Sequence, residues 1–329
     1  MIPEDLRTLS MMDWLENDLL LDIKTLEPAS GDASFRRYFR IFTDEQNFIV
    51  MDAPPERENV AAFIKIANFL SQADVSVPTV FRQNLADGFL LLEDFGSTSY
   101  LQTLSLETAP ALYQSALASL LKLQTNVFLR NTDLPRYDHA LLTRELDIFE
   151  EWFLGELLDT TITPELWQPV KTLLIESALS QPAVFVHRDY HSRNLMVLET
   201  NSPGILDFQD AVIGPITYDA VSLLRDCYIA WPQPQIDAWL SGYYQNLTQA
   251  GLVTASLETF RRWFDLMGLQ RHLKAIGIFA RLDIRDQKPN YLNAIPRTLN
   301  YAVSVAAAYP ELKAFGDFLE HIALPDGLS

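Results

Sequence analysis

Three oxygen-bearing side chains stand at a spacing that suits phosphoryl transfer to a hydroxyl. Asp189 lies five residues ahead of Asn194, inside His187-Arg188-Asp189-Tyr190-His191-Ser192-Arg193-Asn194, and Asp207 follows thirteen residues later, after Ile205-Leu206. In such an arrangement the first Asp accepts or orients the attacking hydroxyl. The Asn and the second Asp hold the Mg²⁺ ions that neutralise phosphate charge, Asn194 with a neutral oxygen and Asp207 with a hard anionic one. His, Asp and Asn are common in turns and helix caps, so any one of them alone carries little. The combined spacing carries the inference. His187 is expected to brace the loop rather than act as a base, whereas His191 and Arg193 face either substrate or solvent.

The elements that must position these residues change character once along the chain. An amphipathic helix is predicted over 5–20, then strands over 35–42 and 47–51, a helix over 58–70, and strands over 79–83 and 89–93. In the first strand Phe35, Phe39 and Ile41 should share one face, and Arg36, Tyr38 and Arg40 the other. Beyond Gly96 the pattern is helical at 107–125, 139–158, 164–180, 234–249, 256–284, 290–308 and 310–321, with short strands expected at 184–186, 195–197 and 204–206. The expected fold class is α+β, with two lobes: a small β-rich lobe over 1–95 and a larger helical lobe over 96–329.

Composition narrows the function classes. The formal charge of -18 argues against nucleic acid or anionic membrane as the main partner, since both demand basic surface. Cys227 is the only cysteine, which excludes an intramolecular disulfide and a cysteine-based metal site. No run of about 18 apolar residues suggests a membrane span. The opening Met1-Ile2-Pro3-Glu4-Asp5 lacks a basic-then-apolar leader pattern, so a cytoplasmic location is expected.

The phrases His187-x-Asp189-x₄-Asn194, Leu206-Asp207-Phe208-Gln209-Asp210, Gly214-Pro215 and Tyr218-Asp219 resemble those of the aminoglycoside phosphotransferase and choline-kinase-like family. That resemblance implies a protein-kinase-like bilobal fold, ATP and Mg²⁺ as cofactors, and a small-molecule alcohol as acceptor. Asp32 to Arg40, Val50 to Pro55, Gly88 to Leu92 and Gln270 to Lys274 are most similar to its amino-sugar branch. Those enzymes phosphorylate the anomeric hydroxyl of N-acetylmuramate and N-acetylglucosamine in cell-wall recycling. By the same resemblance the product would pass to a nucleotidyltransferase. Asp219 would brace the catalytic loop or cap a helix, and Asp210 would contact the acceptor or cap a turn. Another acceptor (an aminoglycoside, a choline-like alcohol or homoserine) and a non-catalytic nucleotide-binding module are the alternatives.

On the nucleotide side, Gly31-Asp32-Ala33-Ser34 would cover the phosphates, with Ser34 in contact. The chain departs from kinases at Met51, where a strand lysine usually grips the α- and β-phosphates. Arg36 or Arg37 would replace that charge, or Mg²⁺ and loop amides would suffice; Glu58, without its lysine, is given no role. Adenine is expected at Leu92, Glu93 and Asp94 through main-chain groups, under Val50 or Met51. For the acceptor, Arg271, Lys274, Arg281 and Arg285 recur at helical spacing, and Arg271 and Lys274 would meet a lactyl carboxylate. The alternative is a solvated face paired with Asp283 and Asp286. Trp152, Tyr228 and Trp231 are candidates for stacking on a sugar ring or for the core.

Overall fold

The computed structural model describes residues 5–30, 35–127 and 133–325. Asp5 caps the first helix, its side chain accepting from the Thr8 N–H, and α1 (Leu6–Asp13) runs on as a π-helical turn, Trp14–Asp18. Five strands follow: β1 (Thr25–Ser30), β2 (Arg37–Phe42), β3 (Asn47–Asp52), β4 (Val80–Asn84) and β5 (Phe89–Glu93). They form one antiparallel sheet in the order β1-β2-β3-β5-β4. Tyr38 lies opposite Met51, and Met51 opposite Leu90.

Strand alternation sorts the side chains between two faces. Phe39, Ile41, Phe48, Val50, Phe89 and Leu91 pack under Met11, Trp14 and Leu15 of the opening helix. Met51, Leu90 and Leu92 join the other, larger cluster, together with Phe63, Ile66 and Leu70 of α2 (Val60–Ser71). Each such buried side chain contributes about 1.5–3 kcal/mol relative to exposure. Phe35 does not continue the apolar face: it is 57% exposed, beneath the Arg57 guanidinium. β1 was not anticipated, because Glu27 and Pro28 break its apolar pattern.

The rest of the described chain is mainly helical. After a short helix α3 (Tyr100–Thr103) come α4 (Ala109–Asn126), α5 (His139–Ile148, prolonged as a π-helix to Leu157) and α6 (Pro164–Leu179). Two small ribbons interrupt them. β6 (Ala183–Val186) pairs with β9 (Val212–Pro215), and β7 (Leu195–Met196) with β8 (Gly204–Ile205). Then follow α7 (Tyr218–Leu224), α8 (Gln233–Gln249), α9 (Leu257–Ile284), α10 (Ile295–Ala308) and α11 (Lys313–Glu320).

The 28-residue α9 is the axis of this part, buried along most of its length. Gly277 lets it approach the end of α5, for a Cβ there would stand 2.5 Å from the Ile148 carbonyl oxygen. That approach brings charged residues of α9 beside those of α5.

Candidate active site

The two ribbons aim the site. The loop between β6 and β7 carries His187 to Asn194, and Asp207 stands two residues past the end of β8. Their closure is a chain of short contacts. The Leu206 N–H donates to the Asn194 carbonyl at 2.9 Å. Asn194 Nδ2 donates to the Asp189 carbonyl oxygen at 3.1 Å and to Asp207 Oδ2 at 3.3 Å. Gln209 Nε2 holds the other Asp207 oxygen at 2.6 Å. Asp189, Asn194 and Asp207, five and thirteen residues apart, thus meet in one cluster.

The backbone around Asp189 is held in an unusual form. Arg188 has φ +77°, a left-handed conformation costing a β-carbon residue roughly 1–2 kcal/mol. Two restraints impose it. Asp219, in the first turn of α7, accepts from the His187 N–H at 2.7 Å and the Arg188 N–H at 3.0 Å. The Arg188 guanidinium is drawn to Glu145 of α5. Burial pushes the Asp219 carboxyl up to about 7, against the pull of these two donors. His187 is fully buried, which depresses it to about 4 and keeps its ring neutral; its Nδ1 accepts from the Asp189 N–H at 3.2 Å.

Beneath the loop lies a buried cluster of charges. Glu145 receives Arg188, Lys274 at 3.2 Å, the Tyr137 hydroxyl and Gln270 Nε2 at 3.1 Å. Lys274 also donates to the Tyr218 hydroxyl at 3.0 Å. Burial works to raise the Asp189 carboxyl, but the charges of Lys274, Arg271 and Arg188 outweigh it, holding its pKa below the ordinary value. Asp189 is therefore a carboxylate at neutral pH, able to accept a proton.

This changes the reading of Arg271 and Lys274. Both are buried, Lys274 is neutralised by Glu145, and Arg271 directs Nη1 at the Cys227 sulfur, 3.6 Å away. They support the catalytic loop from below instead of forming an open acceptor surface. Among the four cations of that helical stripe, the expected aspartate pairing occurs only at Arg285, with Asp286.

On the sheet side, Arg36 stands on the same face as Tyr38 and Met51 and pairs with Glu58 at 3.1 Å, both side chains largely buried. The pair borders a cavity of ≈ 130 Å³ with Met51, Phe63, Gln209 and Asp210. Asp210 is an exposed turn residue on its rim. Glu58, given no role from the sequence, is thus the acid partner of Arg36. Its position just ahead of the α2 cap was the available signal. Arg37 is a correction: it points to the opposite face, where it is held by Asp52, with Nε 2.8 Å from Oδ2, and by Asp5. Strand alternation forbids two consecutive residues from facing one site. Ser34 lies outside the described residues.

At the connector after β5, Leu92 is buried on the cleft face. Glu93 accepts from the Thr79 hydroxyl at 2.8 Å, and Asp94 is gripped by Arg40 at 2.7 Å. Both side chains are thus committed to the protein. Met51 faces the same way as Leu92, whereas Val50 belongs to the far side. Of the three aromatics, Trp231 is engaged with the Tyr113 hydroxyl and Trp239, Trp152 packs against the main core, and Tyr228 lies under Arg193.

A profile described as the phosphotransferase enzyme family matches residues 25–253. The chain belongs to that family. Among similar proteins, an N-acetylmuramate/N-acetylglucosamine kinase of Pseudomonas putida is 46% identical, with 98% of each chain covered. A protein of the same name from Pseudomonas aeruginosa is 47% identical, covering 92% of this chain and 89% of its own. In fold, this phosphotransferase is similar to the ADP-bound aminoglycoside phosphotransferase APH(2'')-Ib. The TM-score is 0.60 at 15% identity, over 92% of this chain and 99% of the other. It is accordingly a protein-kinase-like phosphotransferase acting on a hydroxyl acceptor. No helix among its described residues is long and apolar enough to cross a membrane.

Proposed function

We propose that this phosphotransferase moves the γ-phosphoryl group of ATP to the anomeric hydroxyl of N-acetylmuramate and N-acetylglucosamine. The observation that carries this reading is the 46% identity, over 98% of the chain, to a kinase of that name. The meeting of Asp189, Asn194 and Asp207 in one cluster supports it.

Asp189 orients the acceptor hydroxyl and takes its proton as the new O–P bond forms and the bond to the leaving ADP oxygen breaks. The transition state is loose, so positioning matters more than basicity. Asn194 and Asp207 are the residues that would hold Mg²⁺, which neutralises phosphate charge when bound. Their donor set fits that ion, because Mg²⁺ takes one or two protein oxygens and completes its shell with water and phosphate. The cavity beside Arg36 is smaller than the 300 Å³ or more typical of a whole ligand pocket, and suits a phosphate group. There the Arg36–Glu58 pair stands in for the strand lysine and its glutamate, the charge coming from β2's leading end instead of from Met51. This supports turnover over a non-catalytic module.

The nucleotide lobe is taken as residues 1–95 and the acceptor lobe as 96–329. A cytoplasmic enzyme handing a sugar 1-phosphate to a nucleotidyltransferase completes the reading. A coupled ADP-release assay with N-acetylmuramate, N-acetylglucosamine, kanamycin and choline tests it. Turnover on the two amino sugars is expected, reduced about 10²–10⁴-fold in Asp189→Asn. Turnover confined to kanamycin or choline would refute the acceptor assignment.

A further inference from the structure

We infer that Arg193, clamped between Tyr228 and Tyr291, receives the carboxylate of an acidic amino-sugar acceptor and so sets the preference between acidic and neutral sugars. The inference rests on the reaction proposed above.

Arg193 occupies the catalytic loop four residues after Asp189 and immediately before Asn194. Its guanidinium carbon lies 4.7 Å from the Tyr228 ring centroid and 5.7 Å from that of Tyr291. The other cations around the loop are committed: Arg188 and Lys274 to Glu145, and Arg36 to Glu58. Arg271 has no carboxylate within ion-pair reach among the described residues, but it is buried against Cys227. Arg193 also makes no ion pair with a described residue, and it is exposed. It is the accessible cation nearest in sequence to the catalytic carboxylate, and two aromatic rings fix its plane. A guanidinium held this way keeps the N–H donors not turned to the two tyrosines for a planar acceptor such as a carboxylate.

The clamp is built into the loop. Asp226 accepts from the Ser192 N–H at 2.9 Å and from the Tyr228 N–H at 2.8 Å, tying the residue before Arg193 to the tyrosine beneath it. Tyr291 stacks on Phe279 of α9, and Phe279 lies 6.3 Å from Tyr228, centroid to centroid. His191 meets Tyr228 edge-on at 5.3 Å; it is buried, and its Nδ1 has no hydrogen-bond partner among the described residues. These rings and the His191 nitrogen line the side of the loop on which Arg193 is held. In N-acetylmuramate the lactyl group is carried on O3, two ring carbons from the anomeric carbon. With that hydroxyl at Asp189, the lactyl carboxylate lies about one sugar ring away, a reach that suits Arg193, four residues on in the same loop. N-acetylglucosamine has no such group and would leave Arg193 to water.

The test is the ratio of kcat/KM for N-acetylmuramate to that for N-acetylglucosamine, in wild type, Arg193→Gln, Arg193→Lys and Tyr291→Leu. Loss of a charge-assisted hydrogen-bonded pair predicts that the ratio falls about 10–100-fold in Arg193→Gln, through KM for the acidic sugar. Arg193→Lys keeps the charge but loses the planar guanidinium, and should fall between; Tyr291→Leu should move the ratio in the same direction. Thermal melts of all variants verify folding. An unchanged ratio with a raised KM for ATP would overturn the inference and make Arg193 a phosphate ligand. Wild-type protein inert on both sugars would instead overturn the underlying reaction, and this inference with it.

Discussion

At the scale of single residues, the loop that carries Asp189 depends on Asp219, whose two oxygens each hold a backbone N–H of the strained His187-Arg188 segment. Burial raises its pKa from 3.8 to about 7, so the folded state binds a proton more readily than the unfolded chain. Such a group contributes stability that is full below its unfolded pKa and is lost as pH rises through the folded one. The buried histidines act the other way: His187, depressed to about 4, and His272, to about 3, favour unfolding as they charge in acid. The carboxyl contribution must therefore be read as a difference. Relative to Asp219→Asn, the unfolding free energy of wild type should decline between about pH 4 and pH 7. The slope should be at most about 1.4 kcal/mol per pH unit, the value for one proton. Urea melts of both proteins across that range measure it. Parallel profiles would mean that Asp219 is ionised throughout, held so by its two N–H donors.

At the scale of elements, α2 is the part that would couple the proposed phosphate contact at Arg36 to the proposed metal ligand Asp207. Glu58, just ahead of it, holds Arg36, and Phe63, one turn in, packs on Phe208 with ring centroids 4.8 Å apart. Phe208 follows Asp207 directly, so any loosening of that contact reaches the carboxylate. Phe63→Ala is expected to cost about 3–5 kcal/mol as a cavity substitution. It should also raise the half-saturating Mg²⁺ concentration about tenfold, as loss of a residue supporting a metal ligand does. Phe89→Ala, in the cluster on the other face of the sheet, should cost similar stability and leave the Mg²⁺ requirement unmoved. Equal Mg²⁺ requirements in the two variants would disprove the coupling. The elements also mark where the sequence could be read. Helices with a solvent-facing side, such as α4, α6 and α8, declare themselves by period, and their expected bounds differ from the observed ones by a residue or two. β9 and α7 do not, because they are short and buried on every side, leaving no alternation to detect. The polar stripe of α9 misled for a related reason. Period reveals that Arg271 and Lys274 share a face, but not that Glu145, 129 residues earlier, waits to neutralise one of them. Asp189, Asn194 and Asp207 were legible because local spacing alone brings them together. The Arg36–Glu58 pair needed the sheet.

At the scale of the whole molecule, a chain of formal charge -18 gathers Arg36, Arg188, Arg193, Arg271 and Lys274 around its catalytic loop and cleft. Glu58 and Glu145 pair with three of these cations, so the charge at the loop is mixed, and Arg193 and Arg271 are the ones without a carboxylate partner among the described residues. The same region joins the two parts mechanically. One apolar cluster runs without a break from Met51, Leu90 and Leu92 of the sheet, through Phe63 and Phe208, to Leu319 of the last helix. At the connector, Phe95 lies against Gly204, where a Cβ would come within 2.5 Å of its ring, and Arg40 bridges Asp94 to the Gly96 carbonyl at 2.7 Å. A sheet sharing its core with the helices cannot expose that face without opening them. Unfolding is therefore expected to be a single cooperative calorimetric transition despite the length of the chain. Nucleotide binding should move all of it: ADP with Mg²⁺ at about 100 times Kd adds about 2.7 kcal/mol, or an upward shift of about 5 °C. Two resolved transitions, with nucleotide displacing only one, would mean that the sheet folds on its own and that the contacts across the cleft are too weak to bind the lobes into one unit.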